Sequence, residues 1–268
     1  MHKQMNNISI LKKISFVIDL LNKKQYTLVI NELESLINRD FFSLCNSLLK
    51  NGKDIEEIQF YLNNVIKYHK DKSLNLSSNR EIVLYSLEKL KIIICSLLTP
   101  EDVNYIDESL SFMDINDIIH ERIFKFFVEH FEALCSLNLG RVSNSWKKLC
   151  FYLDKHSYIE DTILEPVYIS FTTKLGVPKG GEYNQFIYEH KILKKISNDV
   201  ENLICNIEKN YEYIVSNLDS YFYFKNFWVH HSLRERNIFY KFLEDNLEDN
   251  FKQELKKELV KSIREWEF

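Results

Sequence analysis

The chain has 268 residues, 45% of them hydrophobic and 14% aromatic, and a formal net charge of −4. That composition excludes a disordered chain, because it supplies apolar surface for one large or two small cores. A nearly balanced charge with no basic block excludes nucleic acid as a main partner, since phosphate binding needs clustered Lys and Arg; the Lys runs near Lys194 and Lys256 read as solvated helix faces.

Only five Gly and three Pro punctuate the chain, Val and Thr are few, and apolar residues recur at spacings of three and four. An all-α protein is the expectation. Residues 1–7 lead into an amphipathic helix with charges inside it, so no export signal is visible. The longest apolar run, 90–98, is broken by Lys91 and falls well short of the roughly 20 residues a membrane span takes. Cys45, Cys95, Cys135, Cys150 and Cys205 are scattered in apolar helical contexts and read as buried thiols in a reducing compartment. A soluble, cytoplasmic protein with no membrane partner is expected.

In chain order, the first module spans residues 1–98, with helices expected near 8–21, 26–37, 41–50, 55–68 and 81–98. Asn51-Gly52 ends the third of these, and 74–79 is the polar break before the fifth. This module carries His69 but no paired ligands, and it reads as a packing or partner-binding unit. Thr99-Pro100-Glu101-Asp102 is a helix start, with a capping hydroxyl, Pro in the first turn and acids on the positive end of the dipole. The second module, 99–268, follows with four longer helices near 114–137, 142–171, 183–215 and 220–247, and a closing one near 252–266. Short links make an up-down four-helix bundle the expected architecture.

The inward stripes of those helices carry polar residues. His120 shares the first with Ile123, Phe127, Phe131 and Leu134; His156 and Glu160 share the second with Trp146, Leu149, Leu153, Ile163 and Val167. His190 lies on the third with Phe186, Leu193, Val200, Ile207 and Tyr211; His231 and Glu235 lie on the fourth with Phe224, Phe227, Ile238 and Phe242. In both His-x-x-x-Glu pairs the two side chains are one turn apart on one face, a chelating geometry. His120 precedes His156 by 36 residues and His190 precedes His231 by 41, so one unit is roughly duplicated. Four imidazoles and two carboxylates on core stripes are costly if unpaired. Two metal ions would neutralise them, and an N/O donor set without thiolate suits iron or manganese better than structural zinc. A six-coordinate ion with two His, two bridging Glu and a solvent bridge keeps one position open for dioxygen, nitric oxide or peroxide.

At these residues the chain resembles the hemerythrin-like (HHE cation-binding) family in its bacterial and archaeal branch. Glu189-His190 followed by Ile192-Leu193, and the string from Glu160 to Pro166, resemble family patterns. The resemblance covers about 114–247 and implies His120, His156, His190 and His231 as terminal ligands with Glu160 and Glu235 as bridging ones. The string 48–58 faintly resembles the helical module that precedes such domains in some prokaryotic sensors. Lys194 stands where circulatory oxygen carriers have a fifth His, Lys241 answers Pro166 in the second repeat, and Arg236 stands where the family often has a second acid. The resemblance therefore implies a di-iron protein that binds or senses oxygen, nitric oxide or iron and redox state, and relays it to the N-terminal helices or a protein partner. An enzyme that reduces nitric oxide, oxygen or peroxide, or an iron donor for iron–sulfur repair, is the competing class. Enzyme status stays open.

Plainer readings apply to other residues. His69, His130 and His230 read as satisfied core or surface histidines, and Tyr158, Tyr188 and Tyr240 as core and rim packing. A ferritin-like site needs Glu-x-x-His, which occurs at no His here.

Overall fold

The computed structural model describes residues 7–36, 55–70, 80–95, 106–206 and 211–266. Every regular element among these residues is helical and no strand occurs, as the three-and-four spacing and the scarcity of Val and Thr dictate. None of the described helices is long and apolar enough to cross a membrane. The chain divides into two compact units, Met1–Asp114 and Ile115–Phe268.

The first unit contains α1 (Asn7–Asn22), α2 (Tyr26–Ser35), α3 (Ile55–Lys70) and α4 (Arg80–Cys95). Ile10, Leu11, Ile14, Val17 and Leu21 form the buried stripe of α1, which packs on α4 with its own Val83, Leu87, Leu90 and Ile94. Arg80 closes the end of α1, donating to Leu21 O at 3.1 Å and to Asn22 Oδ1 at 2.6 Å. Lys91 is ion-paired with Asp114, both fully buried, and the lysine charge holds that carboxyl below its ordinary range despite the opposing effect of burial. The helix expected over 41–50, the breaks at 51–52 and 74–79, most of the 48–58 string, and the start at 99–102 with its boundary all lie outside the described residues.

The second unit is built on α5 (Phe112–Cys135, whose first turn belongs to the first unit), α6 (Leu139–Ile159), α7 (Glu165–Leu175), α8 (Tyr183–Cys205), α9 (Tyr211–Ser216), α10 (Leu218–Arg234), α11 (Lys241–Asn246) and α12 (Asp249–Arg264). Asn138 caps α6, its side chain accepting from Arg141 N at 3.2 Å. Neighbouring helices run antiparallel, because their contacts pair ascending with descending residue numbers. His120, Phe126 and His130 on α5 meet His156, Tyr152 and Trp146 on α6. Between α6 and α8, Trp146 donates to Ser197 O and Asp154 accepts from Lys194. His190 of α8 meets His231 of α10, and Phe127 and His120 of α5 meet Phe224 and Trp228 of α10.

The expected stripes fail after the two glutamates. Glu160–Leu164 and Glu235–Tyr240 are single π-helical turns, each starting at a glutamate and each inserted between two α-helices. A π-turn holds one residue more than an α-turn, so it shifts the inward face by one position. Leu164 and Tyr168 are therefore buried where Ile163 and Val167 were expected, and Phe239 and Leu243 where Ile238 and Phe242 were expected. Phe131 and Phe227 are likewise only half-buried, with His130 and Trp228 in the core instead. The third long helix stops at Cys205 rather than near 215, because Asn206 leaves helical geometry and its amide turns back to Asn202 O at 2.7 Å.

Two further expectations are corrected. Cys135 and Cys205 are exposed at the last positions of α5 and α8, and Cys150 is half-buried, its thiol pushed up to about 12 by burial. Lys256 is not on a solvated face but buried on the inner stripe of α12 with Leu255, Leu259 and Val260.

The link between α7 and α8 is fixed by glycine. Gly176 adopts φ +91°, a backbone region closed to most side chains, and Gly181 O accepts from Tyr168 Oη at 2.7 Å. A Cβ at Gly181 would lie 2.5 Å from that hydroxyl and 2.9 Å from Ile238 Cγ2.

Candidate metal centre

All six residues expected at the site come together, and all are buried. Each histidine turns Nε2 inward. His120 Nε2 lies 2.8 Å from His156 Nε2 and 3.0 Å from Glu235 Oε2, with His156 Nε2 at 3.4 Å from the same oxygen. Glu235 Oε1 lies 2.6 Å from His231 Nε2 and 3.3 Å from His190 Nε2. Glu160 places Oε1 3.4 Å from His156 Nε2 and Oε2 3.0 Å from His190 Nε2. His156, Glu160, His231 and Glu235 offer donor atoms that all lie within 4.8 Å of one another, and this group could hold a metal ion.

The distances are compatible with metal ligation. Donors held about 2.1 Å from one ion sit roughly 3 Å apart along the edge of its coordination polyhedron. The separations here run from 2.6 to 3.4 Å. Yet His231 Nε2 and Glu160 Oε1 make no hydrogen bond among the described residues. Two imidazole nitrogens facing each other can share at most one proton, so the inward lone pairs exceed the protons that could satisfy them.

The outward ring nitrogens hold the rings in place. His190 Nδ1 donates to Asp161 Oδ1 at 3.0 Å, and that oxygen also accepts from Tyr183 Oη at 2.9 Å. His231 Nδ1 donates to Glu189 Oε2 at 3.0 Å, while Arg234 pairs with the other oxygen at 2.6 Å. His120 Nδ1 lies 3.4 Å from the Asn116 amide, and His156 Nδ1 is buried with no partner among the described residues. A proton fixed on Nδ1 leaves Nε2 as a lone-pair donor.

Burial and neighbouring charges act on this cluster in opposite directions. Burial pushes His120 down to about 4. Burial also opposes protonation of His190 and His231, but Asp161, Glu160 and Glu235 outweigh it at the first, lifting it to about 12, and Glu235 and Glu189 at the second, lifting it to about 9. Burial and the neighbouring Glu235 charge raise Glu160, whereas the surrounding imidazoles hold Glu235 well below its ordinary range against the burial effect. Without a metal, protons on imidazole must supply the positive charge the two carboxylates need.

Aromatic residues close the site on both sides along the helices. Trp228 lies edge-on to His120 at 4.9 Å, with His231 at 6.0 Å and His156 at 6.3 Å. Trp146, Tyr221 and Phe224 pack below it, and Tyr168, Phe186 and Phe239 above. Tyr240 is fully buried and its hydroxyl bonds to Glu160.

His130 is outside the cluster, its Nδ1 donating to Val142 O at 2.9 Å, and His230 is exposed. Tyr158 and Tyr188 are exposed as well. The sequence offered His130, Glu189 and Asp161 only as alternative ligands should the bridging glutamates fail, and gave no role to Asn116, Tyr183, Arg234 and Trp228. Asp161 and Glu189 were within reach, since each is adjacent in sequence to a candidate ligand. Comparison of the chain with protein-family models, with curated proteins and with solved structures finds no match.

Proposed function

We propose that the second unit is a hemerythrin-like four-helix bundle holding two metal ions, iron or manganese, and that it binds or senses oxygen or nitric oxide. The observation that carries this reading is the division of each carboxylate. Glu235 turns Oε2 to His120 and His156 and Oε1 to His231 and His190. Glu160 likewise turns Oε1 to His156 and Oε2 to His190. A glutamate whose two oxygens face different histidine pairs is placed to join two ions. The donor set is nitrogen and oxygen alone, which favours iron or manganese. Such a centre supplies redox chemistry and a coordination position for a diatomic ligand. The chain contributes two bridging carboxylates, four oriented imidazoles and a wall of aromatics that keeps bulk water out.

The same reading assigns the first unit the role of responder. The test is addition of nitric oxide or oxygen to iron-loaded, anaerobic protein. The reading predicts a saturable change in visible absorption that Glu235→Ala abolishes, and no change in the wild type would refute it. Sustained consumption of reductant with oxygen, nitric oxide or peroxide would mark the protein as an enzyme instead.

A further inference from the structure

The duplication of the ligands does not extend to what stands behind them. Ring contacts pair His120 with His156 at 4.6 Å and His190 with His231 at 5.0 Å. Behind the second pair stand two carboxylates, Asp161 and Glu189, the first also accepting from Tyr183 and the second ion-paired with Arg234. Behind the first pair stand a neutral amide, Asn116, and nothing at all for His156 among the described residues. Either orientation of the Asn116 amide leaves it neutral.

Resting on the two-ion reading above, we propose that the two metal positions are unequal: the His190–His231 position binds first and tightly, and the His120–His156 position exchanges its ion. An imidazole whose Nδ1 proton is drawn toward a carboxylate carries more electron density on Nε2 and is the better σ-donor. It also favours the more highly charged ion. Each such carboxylate partner is worth roughly 10–100-fold in metal affinity, so two carboxylates against one neutral amide separate the positions by about 100-fold. The same asymmetry is present in the sequence. Arg236 occupies the place of Asp161 in the second repeat and turns to Asp117, and Ile119 occupies the place of Glu189 before His120. The centre therefore has a one-ion state at low metal concentration, in which the His190–His231 position alone is filled. Occupancy of the second position, next to the first unit in sequence, then reports the supply of metal.

The experiment is anaerobic titration of the chelator-stripped 268-residue chain with cobalt(II) alone, read by visible absorption and by equilibrium dialysis. Two resolved steps separated by about 100-fold are expected. Asp161→Asn and Glu189→Gln keep the hydrogen bonds but remove the charge, so each weakens the first step about 10–100-fold and leaves the second unchanged. Asn116→Asp strengthens the second step. Two ions binding with indistinguishable affinity in the wild type would overturn this inference while leaving the two-ion centre intact, as would amide variants that weaken the second step rather than the first. Binding of a single ion, or of none, would overturn the two-ion reading and this inference with it.

Discussion

Glu160 and Glu235 are related by the internal duplication, yet each reaches a different set of imidazoles. Glu235 touches all four, whereas Glu160 touches His156 and His190 and accepts from Tyr240. On the two-ion reading, removing either carboxylate would leave two cations in a dry core with one bridging partner, so Glu160→Ala and Glu235→Ala should each lose both ions, with Glu235→Ala the more severe. Removing a terminal ligand takes one donor from one ion, so His120→Ala should retain one ion per chain. Metal stoichiometry with helicity as a control decides this, and full metal retention by either glutamate variant would rule out the bridging assignment. Away from the centre, burial holds His130 down to about 4, below the ordinary value near 6.5 in an unfolded chain. The unfolded state therefore takes up the extra proton between those values. Stability from this residue is complete above about pH 6.5 and is lost as pH falls toward 4. Urea midpoints at pH 7 and pH 4.5 should fall further in the wild type than in His130→Phe; equal falls would exclude His130 as a source of acid sensitivity.

The two π-turns are what an idealised reading of the helices could not supply. A strict 3.6-residue period finds both His-x-x-x-Glu pairs, because each pair lies before the extra residue, and it places Trp146, Leu149, Leu153, Phe224 and Leu193 correctly in the core. Past each glutamate the same period is one residue out of step, and nothing in the local composition announces an inserted residue. If the insertion serves the centre rather than stability, deleting exposed Thr162 should restore an α-helix, keep Leu164 and Tyr168 inward, and leave helicity and melting temperature near the wild type. It should also draw Asp161 away from His190 and lower metal affinity. Deletion that unfolds the protein, or that leaves metal binding unchanged, would contradict this account of the turn. The α7–α8 link offers a separate check on packing. Gly181→Ala places a methyl carbon against the Tyr168 hydroxyl and Ile238, and should cost about 1–3 kcal/mol in chemical denaturation, an effect of overpacking.

At the scale of the whole chain, composition and periodicity suffice for the all-helical class, and the recurrence of His and His-x-x-x-Glu suffices to select six residues that the fold brings within reach of one another. Asp161 and Glu189 were visible beside candidate ligands, but which histidine each would back was not, because only the antiparallel pairing of α6, α8 and α10 makes them neighbours of His190 and His231. The six site residues lie in the second unit, Ile115–Phe268. A fragment beginning at Thr99 should therefore fold and keep its metal, as judged by circular dichroism and elemental analysis. A soluble, helical fragment that had lost metal binding would show that the N-terminal helices complete the centre.

The most direct measurement is the metal content of the 268-residue chain, purified without added metal and then reconstituted with iron(II) in the absence of oxygen. The account predicts about two iron or manganese ions per chain, held by nitrogen and oxygen donors and lost together when the bridging carboxylates are removed. Protein that retains no metal after reconstitution, or that takes up zinc alone at one ion per chain, would contradict it.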